Sequence, residues 1–306
     1  MRQLRGRAVL LDFWDYTCIN CIRTLPYLKE WHRRYHDQGL SIVGVHTPEF
    51  YFAQVPELVE IAVQEFNIQY PVVLDNDYQI WQAYANHYWP SKYLIDPEGY
   101  LRFATFGEGS YGEMESAIQA VLSEAGIAKS FPPLMQPIRP LDFPGAIAAC
   151  RRPTPELYLG YKRGRLANEG GFEENRIYRY RFGAAPTLDL AELDGLWESR
   201  ADCIEARGHP SRLRLAYQAA EVNLVGAAGP DQPRVRIEVR ENGRPVPEGA
   251  RGEDIRVDGD GHTYLQVDRP RMFSLIRRDV FTEATLELET SAPGCQLFAF
   301  TFVSCP

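Results

Sequence analysis

The sequence predicts two domains of different class: an α/β domain built on a mainly parallel sheet, then an all-β antiparallel sandwich. Three observations predict it. Over residues 1–128, short apolar runs alternate with helical patterns in a β-α-β order. From residue 156 onward the hydrophobic period drops to two, in short strands separated by turn residues. Between them, residues 129–155 carry Pro132, Pro133, Pro137, Pro140, Pro144, Pro153 and Pro155, a density that reads as a stiff extended linker.

The chain has 306 residues, 45% hydrophobic and 24% charged, enough for two cores and unlike a disordered segment. No apolar stretch approaches the ~20 residues a membrane helix needs. The basic start, Met1 to Arg7, runs straight into an apolar strand and lacks the anatomy of a cleavable signal. As written the chain reads as cytoplasmic; as a piece of a longer exported or membrane-tethered protein it reads as extracytoplasmic or periplasmic. Most of the net charge of -8 falls in residues 1–128, where 9 Lys+Arg face 16 Asp+Glu; the rest holds 24 against 25. Neither part has the basic excess of a nucleic-acid binder. Six cysteines are too few for a disulfide scaffold.

The chemistry sits at Phe13-Trp14-Asp15-Tyr16-Thr17-Cys18-Ile19-Asn20-Cys21. The apolar run Ala8–Phe13 reads as a buried strand, and Ile22, Leu25, Leu28 and Tyr35 begin a helical pattern just after it. The cysteine pair therefore lies where a strand hands over to a helix. A helix N-terminus has unpaired N–H groups and a partial positive charge, so a Cys18 thiolate is expected there with a lowered pKa. The spacing lets Cys18 and Cys21 close a disulfide, a reversible two-electron switch that needs no other cofactor. A zinc site would need two more ligands at suitable spacing, and Cys150, Cys203, Cys295 and Cys305 form no second close pair, so no metal is expected.

Asp12 is a carboxylate inside the first strand. Two readings stand for it: a strand-end acid reaching solvent, or a buried acid of raised pKa that takes the Cys21 proton as a mixed disulfide resolves. The helix from Cys18 runs to about Gln38, with Pro26 expected to kink it and Gly39 to end it. Leu40–His46 reads as a central parallel strand. Thr47-Pro48-Glu49 follows as a loop, with Glu49 an acid in water. Next come a helix over Pro56–Phe66, a strand over Pro71–Leu74, a helix from Tyr78 to about His87, and a turn and strand over residues 89–96. The turn Asp96-Pro97-Glu98-Gly99 makes a hairpin with Tyr100–Phe106. A helix from Tyr111 to Ala125 follows, with Ser110 and Glu113 as a capping box.

Three further motifs read as structural. His32 and His36 stand i, i+4 on a helix with no third ligand, a solvent face. Gly107-Glu108-Gly109-Ser110-Tyr111-Gly112 fits G-x-G-x-x-G, but a linker replaces the second parallel strand a dinucleotide site requires, so the glycines shape a tight turn. Asp258-Gly259-Asp260-Gly261 has His262 and Arg269 where a calcium loop needs ligands, and reads as a hairpin turn. In the second domain Arg212–Tyr217, Arg234–Val239 and Thr285–Glu289 alternate cleanly, with turns at 229–231, 241–243 and 258–261.

The order of elements in the first domain resembles the thioredoxin fold with the insertion seen in the thioredoxin-like proteins of cytochrome maturation. Trp14 to Cys21 occupies the place of their Trp-x-x-Cys-x-x-Cys motif, offset by one residue. Asp12 falls where thioredoxins carry a buried Asp, and Pro90 where they carry a cis-proline facing the dithiol. Cys18–Leu28, Gly44–Phe50, Tyr70–Asp77, Tyr88-Trp89-Pro90, Tyr158–Tyr161 and Phe300-Thr301-Phe302 resemble the soluble region of the DipZ-type thiol–disulfide proteins along nearly the whole chain. That resemblance implies a jelly-roll second domain similar to a carbohydrate-binding module, whose ligand would be a carbohydrate or a protein. It also leaves the upstream electron donor open, since the membrane domain common in that family is not in this sequence.

The expected activity is thiol–disulfide exchange with a protein substrate. Cys18 attacks, Cys21 resolves, Asp12 moves the proton, and Trp14, Trp89 and Pro90 shape the docking surface. Ile19-Asn20 adds no cation, so moderate reducing character is expected. Two rivals stand. A peroxiredoxin-like thiol peroxidase would want a threonine three residues before the cysteine, where this sequence has Asp15. A binding protein would use the sandwich as its working part, with Tyr158, Tyr161 and Trp197 stacking on sugar or packing in the core.

Overall fold

The computed structural model describes residues 4–127, 129–143, 145–146, 150–229, 233–290 and 292–305. The chain divides into two compact units, residues 1–143 and 144–306.

The first unit runs β1 (Ala8–Trp14), α1 (Ile19–Tyr35), β2 (Leu40–His46), α2 (Pro56–Glu65), β3 (Val72–Leu74), α3 (Gln79–Ala83), β4 (Ser91–Ile95), β5 (Leu101–Phe106) and α4 (Tyr111–Glu124). Its sheet has the order β3-β2-β1-β4-β5. The first three strands are parallel, and β4 and β5 pair antiparallel. This is the thioredoxin-like α/β fold. β1 is central and buried on both faces along its whole length, which is why it reads as a continuous apolar run. Val9, Leu11 and Phe13 on one face pack with Val45, Tyr93, Ile95 and the α3 residues Ile80 and Trp81. Leu10, Asp12 and Trp14 alternate onto the other face.

α1 buries Cys21, Thr24, Leu25, Leu28, Trp31 and Tyr35, the spacing of a single helical stripe. The helix is continuous through Pro26 and ends earlier than expected, at Tyr35, with Gly39 left-handed at φ +93° where the chain turns into β2. α3 is shorter than its apolar pattern suggests. Asp75 accepts hydrogen bonds from the N–H groups of Ile80 (2.8 Å) and Trp81 (2.8 Å), and the helix stops before Ala85, whose φ is +48°. The expected capping box at α4 does not form: Ser110 is left-handed at φ +50° and its hydroxyl makes no cap bond. Gly107 and Gly109 are also left-handed, at φ +81° and +97°, so the glycines make the turn into α4.

The proline-rich stretch does not hang free of the first unit. Tyr27 donates its hydroxyl to Asp142 (2.6 Å) and accepts from the N–H of Ile138 (2.7 Å). Glu115, 1% exposed, accepts from the Tyr35 hydroxyl (2.7 Å) and from the N–H of Met135 (2.7 Å). Proline keeps this segment extended, and its unpaired polar groups are met by side chains of α1 and α4.

The second unit holds β6 (Leu157–Tyr158), β7 (Ile177–Tyr180), β8 (Ala191–Ser199), β9 (Ile204–Ala206), β10 (Ser211–Ala227), β11 (Val235–Glu241), β12 (Arg244–Pro245), β13 (Ile255–Val257), β14 (Thr263–Val267), β15 (Arg271–Thr290) and β16 (Gln296–Val303). It is an all-β sandwich. The strand path is β13-β14-β11-β15-β10-β16-β9-β8-β7, and β8 returns to pair with β10. β10 and β15 are long because each serves both layers. The first part of β10 pairs with β8 and its last part with β16, and its register with β15 shifts at Ala219/Glu221 and at Val222/Asn223. Leu213, Leu215 and Tyr217 point into the core while Arg212 and Arg214 alternate outward. Trp197 is 0% exposed and belongs to that core, so it is not available to stack on a sugar. The turn at Asn242-Gly243 has both residues at positive φ, the conformation of a tight hairpin. Asp258 accepts from the N–H groups of Asp260 (3.1 Å) and His262 (2.9 Å), closing the β13–β14 hairpin. The turn expected at 229–231 lies partly outside the described residues.

Cys150 and Cys305 form a disulfide that joins the two ends of this unit across 155 residues of sequence. Nothing in their spacing announces the pair.

Candidate active site

The site is built where β1 stops. After Trp14 the chain turns through Asp15-Tyr16-Thr17. The Asp15 carboxylate accepts from the Thr17 N–H (2.7 Å) and hydroxyl (2.6 Å), an Asx-type turn, and the Cys18 N–H returns to the Asp15 carbonyl at 3.2 Å. Cys18 is then the N-cap of α1, with extended backbone at φ −83°, ψ 110°. Its sulfur takes the place of the usual capping oxygen and accepts from the Cys21 N–H at 3.2 Å. Cys18 and Cys21 are not disulfide-bonded to each other in this structure. Cys18 is half-buried and Cys21 is 0% exposed, so Cys18 is the sulfur that a partner can reach.

Burial pushes the Cys18 thiol up from its ordinary value. Hydrogen bonding to Cys21 opposes this, and the carboxylates of Glu49 and Asp15 add to it. The lowered pKa expected from the helix N-terminus is therefore corrected: burial is the largest influence on the sulfur and raises it, and the nearby charges, both acidic, push the same way. Cys21 is pushed well up, first by burial and then by Cys18, with Asp12 adding to the rise.

Asp12 is 0% exposed, which decides between its two readings in favour of the buried acid. Burial raises its carboxyl to about 6, against the opposing Lys92 ammonium. Lys92 lies across the β1–β4 ladder, 1% exposed, with Nζ 3.6 Å from Asp12 Oδ1, an ion pair just beyond hydrogen-bond reach. Among the described residues, neither Asp12 oxygen nor Lys92 Nζ has a hydrogen-bond partner.

Trp14 is 1% exposed, its ring edge-on to His46 at 5.3 Å, so it underlies the site and does not line a docking surface. It points inward because β1 is covered on both faces. Gly44, opposite Asp12 on β2, leaves it room: a Cβ there would meet the indole Nε1 at 3.0 Å. Trp89 is half-buried, lies 4.2 Å from the Trp81 ring, and donates its indole N–H to the Thr47 carbonyl at 3.0 Å. The Trp89–Pro90 bond is cis, as the resemblance implies, and the Pro90 carbonyl accepts from the Gly107 N–H at 2.8 Å. Thr47 links the two sides, since its own N–H bonds the Trp14 carbonyl at 3.1 Å.

Sequence reasoning missed three residues. Asp15 is 0% exposed and also accepts from the Glu49 N–H at 2.8 Å, which ties the loop after β2 to the dithiol turn. His46, 0% exposed, has Nε2 3.9 Å from Asp15 Oδ2 and stacks on Tyr16; burial lowers its pKa. Lys92 is the third. Its signal was present in Ser91-Lys92-Tyr93-Leu94-Ile95, a cation inside a strand whose every residue is buried. Among the described residues, no group of three or more His, Cys, Asp or Glu is placed to hold a metal ion. His32 and His36 lie 4.8 Å apart, His36 exposed.

Residues 1–104 match the AhpC/TSA family, and residues 154–302 match a family described as thioredoxin like C-terminal domain. Over 308 aligned residues, 99% of the chain is 33% identical to Protein DipZ of Mycobacterium bovis. The chain spans 40% of that relative's length. It is 31% identical over 123 residues to the thiol-disulfide oxidoreductase YkuV of Bacillus subtilis, covering 40% of this chain and 82% of that one. A solved structure described as a thioredoxin-like protein in the oxidized form is 30% identical over 40% of this chain and 83% of its own, with a TM-score of 0.38. With most of YkuV's length matched at this identity, the chain belongs to the thioredoxin-like family of thiol–disulfide oxidoreductases.

Proposed function

We propose that the Cys18–Cys21 dithiol reduces or exchanges disulfides in a protein substrate. One observation carries the reading: a half-buried Cys18 sulfur caps α1, with the fully buried Cys21 one turn on and the buried Asp12 carboxylate acting on Cys21. Cys18 as thiolate attacks one sulfur of the substrate disulfide; that S–S bond breaks and the first substrate thiol leaves with a proton. Cys21 then gives its proton to Asp12, whose carboxyl near 6 is mostly ionised at neutral pH, and attacks the Cys18 sulfur. The Cys18–Cys21 disulfide forms, the second substrate thiol is released, and two electrons have moved to the substrate.

Burial, with acidic neighbours adding to it, raises both thiols, and this supports a reducing direction. Thiols of raised pKa are poor leaving groups, which favours reading the pair as a reductant. We expect a potential more negative than about −200 mV, below the range of dedicated oxidants. We assign Trp89 and Pro90 to the entry of the dithiol, a reading supported by the Trp89 indole bond to the Thr47 carbonyl and the Thr47 N–H bond to the Trp14 carbonyl, with the buried Trp14 as their support. The Cys150–Cys305 bond supports an extracytoplasmic location, because such bonds persist in oxidising compartments.

The test is trapping. A Cys21→Ser variant should accumulate a mixed disulfide with a reduced-and-reoxidised protein substrate such as insulin, whereas Cys18→Ser should form none. Failure of Cys21→Ser to trap, together with direct turnover of peroxide by the wild type, would instead establish a peroxidase.

A further inference from the structure

We infer that Asp75 is a positioning residue for the exchange reaction: it holds Trp89, next to the cis Pro90, ready for a disulfide-bearing protein segment. This rests on the reading above in which Trp89 belongs to the entry of the dithiol. Asp75 directly follows β3 and is 4% exposed. Its N–H bonds the His46 carbonyl at 2.9 Å, which fixes it to the end of β2. Oδ1 accepts from the Ile80 N–H (2.8 Å) and Oδ2 from the Trp81 N–H (2.8 Å), two of the N–H groups that the start of α3 leaves unpaired. Tyr78, where a capping side chain would stand, is left-handed at φ +58° and makes no cap bond, so Asp75 caps α3 from outside it. Oδ2 also accepts from the Thr47 hydroxyl at 3.3 Å.

That last bond closes a circuit. The Thr47 carbonyl accepts the Trp89 indole N–H at 3.0 Å, the Trp89 ring lies 4.2 Å from the Trp81 ring, and the Trp81 backbone returns to Asp75. Four segments distant in sequence meet in it: the end of β3, α3, the turn before β4 and the loop after β2. The Thr47 N–H ties the circuit to the Trp14 carbonyl, at the strand end that leads into the dithiol. Tyr78 braces the same wall, its hydroxyl donating to the Pro48 carbonyl and its ring edge-on to Trp81 at 6.0 Å. Capping alone does not explain the arrangement, since Ser, Thr or Asn at the start of α3 would cap that helix locally. A local cap cannot fix the Trp81 ring and the Thr47 carbonyl from one carboxylate, and both of these touch the Trp89 indole. A side chain ordered in advance loses no freedom when a substrate docks, so the ordering of Trp89 strengthens binding.

The experiment compares, in the full chain, the second-order rate constants with which the reduced dithiol reacts with insulin and with hydroxyethyl disulfide, a small disulfide that has no chain to lay against Trp89. Thr47→Val removes the hydroxyl but keeps the Thr47 carbonyl and the α3 cap. Asp75→Asn removes one of the two acceptor oxygens. In each variant the ratio of the insulin rate to the small-disulfide rate should fall about fivefold, the weight of one hydrogen bond. The Trp89 indole N–H resonance, assigned by its loss in Trp89→Phe, should move in both variants, while that of Trp197 in the second unit stays. A merely structural role would lower both rates together and leave the ratio as it is. Should Asp75→Asn not fold, Thr47→Val decides. Folded variants with the wild-type ratio overturn the proposal, as does an unmoved Trp89 resonance. Trp89→Phe with the wild-type ratio overturns the docking role of Trp89 itself, and a wild type that reduces neither disulfide overturns the dithiol reading, so the failures are distinct.

Discussion

Replacing Asp12 with Asn should change how stability depends on pH, and the structure gives the size of the change. The Asp12 carboxyl is raised from 3.8 to about 6 by burial, with Lys92 opposing. An acid whose folded pKa lies above its unfolded one favours folding while protonated. Its contribution is therefore present in full below pH 3.8 and is lost as pH rises through 6. Two pKa units at about 1.36 kcal/mol each amount to about 3 kcal/mol, most of it lost between roughly pH 4 and pH 6. Urea unfolding of the reduced protein at closely spaced pH values reads this directly. Both active-site thiols lie above the ordinary thiol range and stay silent in that window. Asp12→Asn leaves the Lys92 ammonium without its counter-charge only where the wild-type carboxyl is ionised, above about pH 6, so the slope is the readout and the midpoint is not. The wild-type curve minus the variant curve should fall by about 3 kcal/mol across the window. Parallel curves would show that Asp12 is not a buried acid of raised pKa, and the proton route from Cys21 would lose its acceptor.

Two further outcomes follow from the second unit. Cys305→Ser opens a link across 155 residues, and the chain-entropy relation puts the loss at about 5 kcal/mol; the denaturation midpoint of that unit should fall to the value the wild type shows under strong reductant, and a midpoint above that value would refute it. Gly164→Ala would place a Cβ 2.0 Å from the Tyr158 carbonyl oxygen and 2.9 Å from that of Gly160, both backbone atoms that cannot swing away. A loss of about 1–3 kcal/mol is expected, visible as a lower melting temperature of the same unit; an unchanged temperature would mean that the chain around residue 160 relaxes freely.

The dithiol turn was legible because three local signals coincide there: a buried strand, two cysteines, and a helical stripe that starts at once. Long-range pairing was not. Asp12 looked ambiguous in sequence because its partner Lys92 is eighty residues away and meets it only across an antiparallel ladder. The electrostatics of Cys18 were misjudged for the same kind of reason. The helix end is a local property and argues for a low pKa, whereas burial by elements distant in sequence raises it, and Glu49, held by a bond to Asp15 in the loop after β2, adds to the rise. Trp14 was assigned to the surface from its motif position, yet strand alternation beside Asp12 puts it on a covered face. Ser110 has the right side chain for a cap but the wrong backbone, because Gly107 and Gly109 have already turned the chain left-handed. The Cys150–Cys305 bond joins residues with no shared pattern at all. In the second unit the period of two was enough for a sandwich, but not for β10 and β15 crossing from one layer to the other.

The proline-rich stretch changes how the redox unit should be handled as a separate fragment. A cut at residue 128, where helical patterning stops, would strip the Met135 N–H from Glu115 and the Asp142 carboxylate from Tyr27. Two polar groups on the inner sides of α1 and α4 would then face solvent through a freshly opened seam. A fragment carried through Phe143 keeps that seam sewn, and is the piece to express when the thiols are to be titrated alone.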